Sequence, residues 1–141
     1  MSTLKVDTYL TRGGASEIAI DKLKGVTAAG SMLVVGEGGT NTTNLQQGLC
    51  KCWVRYQSAS TFVLNDSFNV SSLGDGGAGH GVTNFTNDMG NALYSAPAVS
   101  NAASTVNQAA ATGSVETHTI NGSNAQSDCD RTMVAVFGDL A

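Results

Sequence analysis

Gly74, Gly76 and Gly79 stand at a loose G-x-G-x-x-G spacing within GDGGAGHG, the pattern that lets backbone amides approach a phosphate in nucleotide-binding proteins. That chemistry needs a helix opening at the last glycine, because the helix N-terminus supplies the aligned amides that hold the anion. Here the glycines lead into VTNFTNDM, where apolar and polar residues alternate with the two-residue period of a strand. The pattern argues against a phosphate cradle. It predicts a wide hairpin loop in which glycines take positive φ, with Asp75 and His80 as its exposed binding residues.

The other groups with chemical potential are sparse. His80 and His118 are the two histidines, and Cys50, Cys52 and Cys129 the three cysteines. Cys50 and Cys52 fall on one face of a strand about 6.6 Å apart, wider than suits a zinc pair. Cys129 and the histidines form no second pair at zinc spacing. Packed free thiols are therefore expected, with no metal and no cofactor; a bridge from Cys129 to Cys50 or Cys52 stays open. Asp128 and Asp130 flank Cys129, but calcium needs six or more oxygens, so both read as solvated loop charges. Trp53, Tyr56, Phe62 and Phe68 read as core or interface anchors. No nucleophile with a neighbouring base can be located, so no catalytic residue is assigned.

The 141 residues suit one domain. Charged residues are 13% and aromatics 6% of the chain, with a net charge of -4, too uncharged for ordinary disorder. Every lysine and arginine except Arg131 lies within 1–55, while Asp66, Asp75, Asp88, Glu116, Asp128 and Asp130 fall in 56–130. That segment cannot neutralise phosphates, which argues against nucleic acid as a partner. No apolar run is long enough to span a membrane, and MSTLKVDTYL lacks the basic head and apolar core of a signal peptide. Synthesis in a cytoplasm, without membrane insertion, is expected.

Two regions emerge. Residues 1–47 hold short pieces: LKVDTYL alternates as a strand, SEIAIDKLKG fits a strand or one helical turn, and SMLVVGEGGT reads as a brief buried strand closed by glycines. None makes a core alone, so Leu4, Val6, Tyr9, Ile18 and Ile20 are candidate partner-docking residues. TNTTNLQQ is a polar linker or short helix. From 48 onward strands recur at short intervals. CKCWVRYQ sets Cys50, Cys52, Val54 and Tyr56 against Lys51, Trp53 and Arg55; FNVSSL and VTNF alternate, as does VETHTI. Pro97 marks an edge or bulge, residues 100–113 are ambiguous, and TMVAVF, apolar on both faces, reads as a central strand. The fold class expected is all-β: an antiparallel, jelly-roll-like β-sandwich over 48–141 with an extended N-terminal arm of short strands over 1–47.

MSTLKVDT, CKCWVRYQSASTFVLNDSFNVSSLGDGGAGHGVTNFTNDM and MVAVFGD together resemble small virion proteins of tailed bacteriophages, marine ones in particular, commonly labelled tail-fibre-like. The similarity lies at Cys50, Lys51, Trp53, Val54, 66–72, Phe85, Met89, Asn91 and Tyr94. Residues 10–45 and 100–128 match nothing specific, and GHGVTNF departs from the more regular strand of the family. The resemblance implies assembly and adhesion rather than catalysis. It points to a non-enzymatic virion structural protein, an exterior fibre or tip-like module that forms a homo-oligomer, a trimer. Its partners would be capsid or tail proteins, its own copies, and a host surface receptor or glycan. A capsid decoration protein is the alternative, favoured by a chain short for a shaft-bearing fibre; a small hydrolase of cell-surface polysaccharide is a third.

Overall fold

The computed structural model describes residues 32–141. The candidate docking residues Leu4, Val6, Tyr9, Ile18 and Ile20 lie outside them. Ten strands and one short helix follow in order: β1 (Leu33–Val35), β2 (Thr42–Asn44), α1 (Leu45–Gly48), β3 (Cys50–Gln57), β4 (Val63–Phe68), β5 (Val70–Gly77), β6 (His80–Phe85), β7 (Ala98–Ser100), β8 (Ser104–Ala111), β9 (Ser114–Ile120) and β10 (Thr132–Phe137). Every strand pair is antiparallel. The fold is nearly all β, as the alternating pattern predicts.

Two four-stranded sheets make up most of the structure, ordered β4-β3-β10-β7 and β5-β6-β9-β8; among the described residues β1 and β2 pair only with each other. Each sheet has a buried side. In β3 this side carries Cys52, Val54 and Tyr56, in β10 Thr132, Val134 and Val136, in β6 Thr83 and Phe85, and in β9 Val115, Thr117 and Thr119. Residues of both sheets belong to one hydrophobic cluster, which joins Cys52, Val54, Val134 and Val136 to Phe85, Val115 and Met89. The Tyr56 hydroxyl bridges the sheets, 2.6 Å from Thr117 Oγ1. Gly81 makes this possible, since a Cβ there would overlap the Tyr56 hydroxyl. Phe62 closes over the same ring at 5.2 Å.

The chain passes from the first sheet to the second at Asn69, between β4 and β5, with φ 59°. FNVSSL is therefore two strand ends meeting at a corner rather than one continuous alternation. Asparagine tolerates the left-handed region better than other non-glycine residues. Its amide ties the corner down: Nδ2 donates to the Lys51 and Asn87 carbonyls, and Oδ1 accepts from the Asn87 backbone N–H at 2.8 Å.

Several local expectations are corrected. The glycine run is not a wide loop: β5 extends to Gly77 and β6 starts at His80, leaving only Ala78 and Gly79 between the strands. Gly77 and Gly79 take positive φ, 111° and 66°, which is the backbone demand that such a short turn makes. Leu33–Val35 form strand β1, but all three are exposed. Residues 104–111, where alanine and polar residues compete, form edge strand β8, and α1 occupies the end of TNTTNLQQ, capped by the Asn44 side chain. β10 is central, between β3 and β7. Pro97 precedes edge strand β7 and accepts from Ala135 N through its carbonyl, consistent with a residue that has no N–H to give.

The core is half threonine on the second sheet, and its hydroxyls differ in how they are satisfied. Thr119 Oγ1 donates to the Ser127 carbonyl at 2.6 Å, whereas Thr83 Oγ1 is buried with no hydrogen-bond partner. A partnerless buried hydroxyl costs about 1–3 kcal/mol, and a satisfied one stabilises by about 1 kcal/mol. Thr83→Val should therefore raise stability by about 1 kcal/mol and Thr119→Val lower it by about 1–2 kcal/mol. Urea unfolding of the two variants checks the opposite signs.

Candidate functional site

The outward sides of the two sheets differ in chemistry. On β4-β3-β10-β7 the strand registers align two rows. Phe68 stands opposite Trp53 and Trp53 opposite Ala135; Asp66 stands opposite Arg55, Arg55 opposite Met133, and Met133 opposite Val99. Alternation forces these positions outward once Val54, Tyr56 and Val134 point in. Trp53, Met133, Phe68 and Val99 are 39%, 38%, 53% and 55% exposed. Trp53, Met133 and Val99 border an open groove of about 540 Å³ floored by the strands and reaching Pro97. Trp53 and Phe68, expected as core or interface anchors, thus belong to an open apolar surface, and Tyr56 to the core.

On β5-β6-β9-β8 the outward side carries titratable groups. His80 on β6 is the register partner of His118 on β9, and Glu116 lies two residues before His118 on the same side. The imidazole centroids are 4.3 Å apart, and His80 Nε2 lies 3.4 Å from Glu116 Oε2. One donor atom from each of His80, Glu116 and His118 lies within 4.8 Å of the other two. Both Nε2 atoms are shielded from solvent and neither has a hydrogen-bond partner. Burial, reinforced by the neighbouring His80, holds the His118 pKa below the usual histidine value against the opposing pull of Glu116.

Neighbours set both rings. The Gln126 amide lies 2.6 Å from His118 Nδ1, and Gln126 is itself placed by an isolated bridge to Ile120. Gly76 faces His80, where an added Cβ would overlap the imidazole. Asp128 Oδ1 accepts from Gly79 N at 2.7 Å and so anchors the turn before His80; it is not a free loop charge. Asp75 Oδ1 accepts from Gly77 N at 2.9 Å.

Of the expected loop pair, Asp75 is exposed on β5 and caps the turn, while His80 is a half-buried strand residue. Glu116 was not singled out from sequence, and His118 was weighed only as a histidine without a local partner. The signal for them was the alternation of VETHTI, which puts both on one side; that His80 joins them depends on the β6–β9 register. Met89 is buried, and the Tyr94 hydroxyl donates to the Ala111 and Ser114 carbonyls flanking the β8–β9 turn.

All three cysteines are free. Cys50 Sγ donates to the Cys52 carbonyl, and Cys129 Sγ lies 3.1 Å from Thr132 Oγ1. Burial, with a smaller contribution from Cys50, pushes the Cys52 thiol up to about 12, so it holds no thiolate at neutral pH. Alkylation at mildly alkaline pH should leave Cys52 and Cys129 unlabelled in the folded protein and label all three thiols in denaturant, read by intact mass. A single labelled thiol in denaturant would reveal a disulfide and contradict the thiol geometry. The raised pKa also fixes the sign of a pH effect: stability from the protonated Cys52 is full below the unfolded value of 9.0 and declines toward 12. Urea midpoints measured across that window check it.

Compared with protein-family models, curated proteins and solved structures, the chain matches none.

Proposed function

We propose that the chain is a non-enzymatic structural protein of a tailed-bacteriophage virion: an exterior fibre or tip-like module, built as a jelly-roll-like sandwich, that acts by assembly and attachment. It is made in the host cytoplasm and resides in the particle as a homo-oligomer, a trimer. Two observations support this. The sequence resemblance runs through Cys50, Trp53, 66–72, Met89 and Tyr94, and these fall on the strands, corner and turn contacts that define the two sheets. The carrying observation is the open apolar side of β4-β3-β10-β7. A contiguous patch containing Trp53, Phe68, Val99 and Met133 is costly to leave in water and marks an interaction surface.

We assign that surface to contacts between copies of the chain. Its apolar centre is bordered by one residue of each charge, Arg55 and Asp66, at facing register positions, so in a head-to-tail ring the Arg55 side of one copy's patch can meet the Asp66 side of the next without like charges stacking across the interface. The glycine run supports no competing phosphate-binding role, because it turns directly into β6 rather than into a helix.

Sedimentation of the full chain should give a trimer. Met133→Lys and Val99→Lys, at exposed positions, should shift it toward monomer with unfolding midpoints close to the parent. A monomeric parent, or variants that remain trimeric, would remove this surface from the assembly. Adhesion of labelled protein to host cells is the expected outcome for a fibre or tip. Saturable binding instead to capsids lacking it would make it a decoration protein.

A further inference from the structure

We propose that His80, Glu116 and His118 form a binding site for a first-row divalent transition-metal ion of the zinc type, on the outward side of the second sheet. The sequence led to no expected metal site because the histidines had no local partner. Strand register supplies one: β6 and β9 place His80 beside His118, and alternation along β9 adds Glu116. Two imidazole nitrogens and one carboxylate oxygen are the donor set that zinc and its neighbours take, whereas calcium and magnesium select oxygen.

Four observations favour an ion here over a chance cluster. The three donor atoms lie within 4.8 Å of one another. His80 Nε2 and Glu116 Oε2, at 3.4 Å, already match the separation of about 3.3 Å that two ligands reach across a tetrahedral ion with bonds of about 2.0–2.1 Å. Both Nε2 atoms are withdrawn from solvent and, among the described residues, have no hydrogen-bond partner, His80 Nε2 facing only the Glu116 carboxylate, a costly arrangement that a shared ion would relieve. Finally, each ring has a device that sets its orientation. Gly76 leaves the room the His80 imidazole occupies. The Gln126 amide lies against His118 Nδ1, and its oxygen and nitrogen exchange places by a half-turn. With the oxygen inward it accepts the Nδ1 proton and leaves the Nε2 lone pair for the ion, the outer contact that metal-bound histidines ordinarily have.

Coordination draws His80 and Glu116 onto His118 and ties β6 to β9. Three protein donors leave one position of a tetrahedral ion for water on the solvent side. The site is remote in chemistry from the apolar side of the first sheet, so its occupancy and oligomer formation are separable.

The test uses the full chain without a histidine tag, freed of metal by chelation. Zinc titrated by calorimetry should bind saturably at one ion per chain and raise the melting temperature, while calcium should do neither. Cobalt should give visible absorption without a thiolate charge-transfer band. His118→Ala and the His80→Ala/His118→Ala double variant should abolish binding, and Glu116→Gln should weaken it at least tenfold. Gln126→Ala, which removes no ligand, should weaken it by about 10–100-fold. Gly76→Ala, which displaces the His80 ring, should also weaken it, and far-UV dichroism of each variant controls for folding. Absence of saturable zinc binding, undiminished binding in the double variant, or a thiolate-to-cobalt band that places the ion on cysteine would each overturn the proposal. Because Gln126 and Glu116 are outward residues, their variants keep the test decisive should a histidine variant fail to fold.

Discussion

The contact between the Tyr56 hydroxyl and Thr117, made across the two sheets where Gly81 leaves no side chain, is the constraint on which the arrangement depends. It sets how closely β3 approaches β6 and β9 and which residues of those strands turn inward. Side chains alternate along a strand, so once Gly81, Thr83, Thr117 and Thr119 face the core, His80, Val82, Glu116 and His118 must face out. A slip of one residue in register would exchange the two sets. A buried polar bridge resists such a slip because a displaced partner leaves a hydroxyl unsatisfied in the core. The same logic holds on β3, where Tyr56 inward means Trp53 and Arg55 outward. Both candidate surfaces are thus the reverse sides of one packing decision.

Threonine is the unusual element of this core. Thr117, Thr119 and Thr132 each bond across an element boundary, to Tyr56, Ser127 and Cys129 respectively. They place direction-dependent contacts where a valine would give only area. Polar networks of this kind specify one arrangement more strongly than they stabilise it. That suits a chain with few aromatics, whose apolar groups are partly committed to an outward surface rather than to the core.

Much of the fold was legible in the sequence where alternation was clean. Residues 50–57, 82–85, 114–120 and 132–137 became strands as their patterns predict, although which side of 50–57 and of 132–137 faces inward was not legible, both faces being partly apolar. The corner at Asn69 was not legible, because the change of sheet is made by one φ angle and by side-chain hydrogen bonds to Lys51 and Asn87, neither of which alters the apolar rhythm. The glycine run misled for a related reason: glycine marks freedom of φ without saying how many residues use it, and here only Gly77 and Gly79 do. Exposure of Leu33, Val34 and Val35 was equally hidden, since a three-residue apolar run reads as buried whatever it packs on. The apolar side of the first sheet was half visible in Trp53 and Phe68, read as core or interface anchors. The His80, Glu116 and His118 cluster was visible only as His118 and Glu116 sharing a side; its third member required the β6–β9 pairing, which no local pattern encodes.

A double-mutant cycle on Tyr56→Phe and Thr117→Val, followed by urea unfolding, tests the bridge between the sheets most directly. A coupling of about 1 kcal/mol or more between the two changes is predicted for a buried, mutually satisfied hydroxyl pair. Additive losses, with no coupling, would mean that the two side chains do not meet and that the inward and outward assignments of β3, β6 and β9 do not hold.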